Sequence, residues 1–156
     1  MLITPADWRP QPWKNGRGVT HEVWRDRDDY DVRVSVAEDA TPAPFSRFPG
    51  FHRWSILLEP APITLVIEGV TRELARVGEV VDHDGDAVVE SIALPAGPTK
   101  LLTVLARNHR VGLGVPPGPV RFAFELASRN AWVDAPRLLE PVLWIASSEG
   151  EVTRRA

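Results

Sequence analysis

Asp31-Val32-Arg33-Val34-Ser35-Val36-Ala37 is the stretch that decides the fold class. Three valines alternate with Arg33 and Ser35. That period of two is what a β-strand imposes, because successive side chains leave opposite faces. Valine also suits a strand through its branched Cβ. Working outward, Ile63–Gly69 (ITLVIEG), Leu101–Ala106 (LLTVLA) and Val120–Leu126 (VRFAFEL) are further apolar or β-branched runs of strand length. The breaks between them are turn-formers. Asp82–Ala87 (DHDGDA) carries an Asp-Gly pair, and Val115–Val120 (VPPGPV) reads as an inter-strand loop. Fifteen prolines and 11 glycines are spread along the chain and leave few uninterrupted stretches long enough for a helix. Two segments have some helical character, Thr71–Val80 and Asp134–Ala146. Gly78 interrupts the first and Pro141 the second. The expectation is an all-β domain over residues 1–150, a sandwich or barrel, with a disordered tail at 151–156.

The 156 residues suffice for one domain with a sizeable core. Net charge is −3, with no basic stripe, so no nucleic-acid partner is expected. No window approaches the roughly 18 apolar residues of a membrane helix. The opening MLITPADWRP lacks a signal-peptide apolar run, so no membrane partner and a cytoplasmic location are expected. The absence of cysteine excludes disulfides, thiolate nucleophiles and zinc–thiolate centres. The four histidines, His21, His52, His83 and His109, form no i, i+2 pair of the kind that puts two ligands on one strand face. His83 with Asp84 and Asp86 is the nearest approach to a cation site, and the loop has no calcium-loop spacing. No serine sits in a G-x-S-x-G elbow, and no phosphate-loop glycine pattern occurs. No catalytic residue, metal ligand or cofactor is assigned.

Two stretches mix aromatics, turn residues and polar groups: Pro12–Val23 (PWKNGRGVTHEV) and Ala43–Arg53 (APFSRFPGFHR). Asn15-Gly16 alone predicts a hairpin turn. Phe48-Pro49-Gly50-Phe51 predicts a type II turn, with Pro second and Gly third. Both stretches also fit the lip of a small polar pocket, and composition leaves the two readings open.

These residues carry a resemblance. Pro12-Trp13-Lys14-Asn15-Gly16, then Gly18-Val19-Thr20 and Glu22, resemble the P-W-K-N-G-G-G-x-T-x-E signature of the HutD/Ves family. VRVSVAEDATPAPFSRFPGFHR resembles its W-R-(L/V)-S-x-A…G-P-F-S-x-F-P-G-x-x-R segment. Asp84–Ala87 is similar to its G-D turn, and Gly97–Arg110 to a later strand. The resemblance runs from about residue 8 to about residue 110. It implies a cupin-like (RmlC-like jelly-roll) double-sheet fold, with two lobes in one chain as a variant. It further implies an association with histidine utilisation, no established catalysis, and a small anionic metabolite as ligand, N-formylated glutamate or formate. The chain departs from the pattern at Arg17 within the glycine run, at His21, and at Leu101 and Thr103, where the family has Asp and Asn. It is also short for the family, which would trim the C-terminal lobe.

With the resemblance, the expected ligand site takes shape. Trp13, Lys14, Asn15, Gly16 and Thr20 would form the lip, with Lys14 as a point charge and the glycine backbone open to close approach. Arg33 and Ser35 share one strand face. They meet solvent if the valines fill a core on the other side, or the cavity if the strand lines it. In the cavity, Arg33 would grip a carboxylate bidentately. Phe45 and Phe48 would supply an apolar wall, and Ser46 a turn cap or a ligand contact. Arg53 would contact ligand or pair with Glu22 or Glu59. Glu22 with His21 would be the acid–base pair of the alternative reading, a metal-independent isomerase or amide hydrolase. A structural or stress-related protein is the third class. Exposed sheet edges would allow a homodimer.

Overall fold

The computed structural model describes residues 1–14 and 16–148. Asn15 and residues 149–156 lie outside the described set, and with them the expectation for the 151–156 tail. Fourteen strands are described. The first ten are β1 (Leu2–Ile3), β2 (Arg9–Pro12), β3 (Gly18–Arg25), β4 (Val32–Asp39), β5 (His52–Leu57), β6 (Ile63–Ile67), β7 (Val70–Leu74), β8 (Val80–Asp84), β9 (Val89–Ala93) and β10 (Thr99–Ala106). The last four are β11 (His109–Gly114), β12 (Val120–Phe124), β13 (Ala131–Ala135) and β14 (Val142–Ser147). The only helical element described is the 3₁₀ turn Pro5–Asp7. Both stretches with helical character turn out as strand and turn, β7 to β8 and β13 to β14. No described helix is long and apolar enough to cross a membrane. The chain is all-β, as the sequence predicted, and its sheets make a sandwich rather than a closed barrel.

Contacts divide the chain into two compact units. One is Arg9–Arg107. The other joins Met1–Trp8 to the chain from Asn108 onward. The first unit holds a six-stranded sheet, β2-β3-β4-β10-β5-β8, and a three-stranded sheet, β7-β6-β9. Leu57, Leu101 and Val81 of the large sheet pack with Ile63, Leu65 and Leu74 of the small one. The second unit is a five-stranded sheet, β1-β13-β12-β14-β11. Its core includes Val120, Ala123, Ala135 and Val142, with Trp132, Leu138 and Trp144 packed against them. Gly112 lies directly against the Trp144 indole, where a Cβ would collide.

The valine alternation of β4 resolves as two faces. Val32, Val34 and Val36 are buried on one. Arg33, Ser35, Ala37 and Asp39 follow on the other and line a cavity. The two sequence turns also form. Gly50 sits at φ 86° and Phe51 N–H bonds Phe48 O at 3.2 Å, as a type II turn requires. Asp84 Oδ1 accepts from Asp86 N–H at 2.9 Å, closing the Asp-Gly turn. The two turns are stitched together: Phe48 N–H reaches Gly85 O and Gly85 N–H reaches Phe51 O, both at 2.7 Å. A Cβ on Gly85 would strike the Phe48 and Phe51 carbonyls, so only glycine allows that approach.

Candidate functional site

Antiparallel register lays the site out in rows across the large sheet, because directly opposed residues share a face. Glu22, Ser35, Thr103 and Ser55 form one row on β3, β4, β10 and β5. Arg33, Leu105 and Arg53 form the next. Thr20, Ala37, Leu101 and Leu57 lie on the other side of the polar row, and Gly18, Asp39 and Thr99 beyond them. So one face passes from a charged row through a hydroxyl row to the apolar core. Over its polar part lies a cavity of about 480 Å³, within the range of small-ligand sites.

Of the twelve residues expected at the site, nine line this cavity: Trp13, Lys14, Thr20, Arg33, Ser35, Phe45, Ser46, Phe48 and Arg53. Asn15 lies outside the described residues. Gly16, at φ 72°, turns the loop without lining the cavity. The loop is wider than a two-residue hairpin: Gly16 N–H bonds Trp13 O at 3.0 Å, and Trp13 N–H bonds Gly18 O at 2.9 Å. The Trp13 indole N–H donates to Thr20 Oγ1 at 2.8 Å. Gly18 must be glycine, because a Cβ there would meet Glu38 O and the Trp13 ring. Thr20 and Gly18 together hold the indole down at the rim.

Glu22 is off the lining and braces it. Its Oε1 accepts from Arg33 Nε at 3.2 Å and from Arg25 Nε at 2.6 Å. A bulge between Glu22 and Trp24 lets Arg25, three residues on, fall opposite Arg33. Burial raises the Glu22 carboxyl, but Arg25 and Arg33 outweigh it and hold it below its ordinary value. Arg33 is further fixed by Gln11 Oε1 at 3.2 Å from its Nη2. His21 leaves the opposite face of β3 and lies 3.8 Å from Glu38. The acid–base pair His21–Glu22 therefore does not converge.

Arg53 pairs with neither Glu22 nor Glu59, the partners expected for a structural role. Glu59 instead meets Lys100 at 3.4 Å. Arg53 is only 8% exposed, and its guanidinium lies 4.6 Å from the Phe45 ring centre and 5.9 Å from that of Phe48. Nη1 donates to Ser46 O at 3.4 Å, and Nε has no hydrogen-bond partner among the described residues. Burial lowers its pKa to about 10, with the Asp39 charge opposing that shift. It remains a cation at neutral pH.

The wall segment is anchored from behind. Ala43 N–H bonds Ser91 Oγ at 3.0 Å, Phe45 N–H bonds Val89 O at 2.8 Å, and Arg47 pairs with Asp86 at 3.1 Å. His83 Nδ1 contacts Asp84 O at 2.8 Å, and burial lowers its pKa. Asp84 is committed to its turn and Asp86 to Arg47, so the His83 trio does not converge. Among the described residues no three His, Asp or Glu side chains gather as a metal site.

Sequence reasoning missed Asp39. It is 2% exposed and lines the cavity, and neither carboxylate oxygen has a hydrogen-bond partner among the described residues. Burial drives its pKa up to about 6, with Arg53 pulling it back. A signal existed, since Asp39 continues the i, i+2 series Arg33, Ser35, Ala37. Thr103, read as the loss of a polar group, also lines the cavity, and its Oγ1 lacks a partner too. Leu101 belongs to the core.

Known proteins agree with this architecture. The structure of HutD from Pseudomonas fluorescens SBW25, described as a formate condition, superposes with a TM-score of 0.79 at 20% identity, covering 94% of this chain and 96% of that one. A conserved protein of unknown function from Pseudomonas aeruginosa PAO1 gives 0.73 at 21% identity, covering 94% and 98%. The Cupin_2 domain of an XRE family transcriptional regulator from Enterobacter cloacae gives 0.51 at 12% identity, covering 58% of this chain and 97% of that one. At these identities the likeness is one of fold, and it is cupin-like. In sequence, an uncharacterized 21.2 kDa protein in the hutC 3′ region of Pseudomonas putida is 33% identical over 73 residues, 44% of this chain and 38% of that protein's length. The HutD family model matches residues 5–131, the span that carries the Trp13 loop, the β4 face and the Phe45–Arg53 wall. The chain belongs to the HutD family.

Proposed function

We propose that the cavity over the large sheet binds a small carboxylate metabolite without transforming it, and that the chain acts as a regulator linked to histidine degradation. N-formyl-L-glutamate and formate are the candidate ligands. The observation that carries the reading is Arg53: a buried guanidinium, held by Phe45 and Phe48, whose Nε has no hydrogen-bond partner among the described residues. A buried cation left without a full set of acceptors is costly, and an incoming carboxylate relieves that cost with charge-assisted bonds. Lys14, exposed at the rim, adds a second positive charge on the entry side. Family membership and the hutC-region relative support the link to histidine degradation.

The test is a thermal-shift and calorimetric series with formate, N-formyl-L-glutamate, urocanate, L-histidine and L-glutamate on wild type and Arg53→Met. A ligand at about 100 times its Kd adds roughly 2.7 kcal/mol of stability, a shift of a few degrees. Binding by wild type that Arg53→Met loses supports the reading. No binding of any acid refutes it.

A further inference from the structure

Arg53 accounts for one half of the ligand. Asp39 is a carboxylate in the same cavity, all but inaccessible, with both oxygens lacking any hydrogen-bond donor among the described residues. A structural carboxylate at such burial is ordinarily met by an arginine or by backbone N–H groups. The neighbouring guanidiniums make no hydrogen bond to it, although the Arg53 charge acts on it. Arg33 gives Nε to Glu22 and Nη2 to Gln11, and Arg53 stacks on Phe45 and gives Nη1 to Ser46 O. The backbone around Asp39 is used up in the ladder, opposite Gly18 on one side and Thr99 on the other. A ligand that carried only carboxylates would bring a negative charge toward a second, unsatisfied negative charge.

Resting on the carboxylate-binding reading above, we infer that Asp39 is a recognition residue for an N–H donor, so that the cavity selects acids bearing an amide or ammonium N–H beside the carboxylate over acids that lack one. The two ends of the ligand then match the two buried charges. The carboxylate meets Arg53, and the N–H meets an Asp39 oxygen. Thr103 Oγ1, also without a hydrogen-bond partner among the described residues, lines the same cavity farther along the sheet, opposite Ser35. Burial pushes the Asp39 carboxyl to about 6, so near neutral pH it is mainly ionised and presents acceptors only. This ranks the candidates: an N-acylated or free amino acid fits both charges, whereas formate fits one.

Calorimetry on the purified full chain tests it with three acids of matched carbon skeleton: glutarate, with no N–H; N-formyl-L-glutamate, with an amide N–H; and L-glutamate, with an ammonium. Wild type is expected to bind at least one N–H-bearing acid about tenfold or more tightly than glutarate, the usual worth of a hydrogen bond to a charged group. Asp39→Val is expected to erase that preference while binding glutarate at least as tightly as wild type. Asp39→Asn, nearly isosteric, keeps the test sound where the valine variant folds poorly. It is expected to shrink the preference, more for the ammonium ligand than for the amide. Equal binding of all three acids by wild type, or a preference that survives in both variants, overturns the Asp39 assignment and leaves the carboxylate reading standing. Failure of wild type to bind any of the three overturns the Asp39 assignment, and failure to bind formate as well overturns the carboxylate reading with it.

Discussion

Two cavities among the described residues are nearly equal in size, about 480 Å³ over the large sheet and about 490 Å³ in the unit that joins the N-terminus to the C-terminal strands. They differ in the state of their charges. The second is lined by Arg110, Arg121, Asp134, three residues of the proline-rich loop between β11 and β12, Pro117, Gly118 and Pro119, and Pro136 after β13. Arg121 pairs with Asp134 at 3.1 Å in the open, and Arg110 lies 6.0 Å from the Trp144 ring centre. The first cavity alone of the two holds a buried carboxylate, Asp39, with neither oxygen hydrogen-bonded among the described residues, beside the buried Arg53 guanidinium. Volume therefore does not distinguish a site from a surface hollow. A buried carboxylate without a hydrogen-bond donor does, because it is expensive in the free protein and the cost is recovered only when something binds.

The comparison breaks most sharply at Arg53. Arg53→Met is expected to weaken carboxylate binding by about 2–5 kcal/mol, the usual cost of truncating a desolvated charged contact, and Arg121→Ala to leave it unchanged. Calorimetry on the two variants decides it. Equal losses would mean that the two cavities do not differ as described.

Asp39 gives the next largest effect, on stability. Its folded pKa of about 6 lies above the ordinary 3.8, so between those values the folded state holds a proton that the unfolded state has released. Stability from this group is full below pH 4 and is lost as pH rises through about 6. Keeping the carboxyl ionised at pH 7 costs about 3 kcal/mol. Asp39→Asn is expected to raise the denaturation midpoint at pH 7 and to remove this falling limb. A midpoint profile parallel to wild type from pH 4 to 7 would contradict it.

Glu22 works in the opposite sense. Its carboxyl is held below 4.5, so its contribution is present above that pH and lost as pH falls through the depressed value. Glu22→Gln keeps an oxygen acceptor but removes the negative charge that Arg33 and Arg25 share, and is expected to cost about 1–3 kcal/mol at pH 7. Urea denaturation at pH 7 measures it, and an unchanged midpoint would remove Glu22 from its bracing role. Smallest is the exposed pair of the second cavity. Arg121→Ala is expected to cost about 0.2–1 kcal/mol, and less in high salt. A larger loss on the same urea assay would give that cavity a structural role.

Much of this site was legible along the chain because strands report their faces. The alternation at Val32–Val36 announced both β4 and the common side of Arg33 and Ser35. Pro49-Gly50 and Asp84-Gly85 announced turns that do form, the first because Gly50 supplies a positive φ and the second because the Asp84 carboxylate closes its own turn. Glu22 was harder to place. The sequence offers it as a site residue, as a partner for Arg53 and as an acid–base partner for His21, and the bulge after it, which decides for Arg25 and Arg33, has no local mark. Arg53 looked like half of an ion pair, since sequence says nothing about which carboxylate a guanidinium will reach.

By itself the sequence determined that the chain is β, where its main turns lie, which side of β4 is polar, and the family to which it belongs. These follow from local rules: period-two alternation, turn stereochemistry, and motifs long enough to be specific. Only the tertiary structure decided which strands adjoin. That choice set β10 between β4 and β5 and so brought Thr103 beside Ser35 and Ser55, and Leu105 between Arg33 and Arg53. It also decided that Asp39, an ordinary-looking residue before a proline-rich loop, would be sealed from water with no donor among the described residues. The reason is physical. Whether a charge is solvated, paired or stranded depends on neighbours distant in sequence, and the cost of burial appears only once the sheets have closed over it.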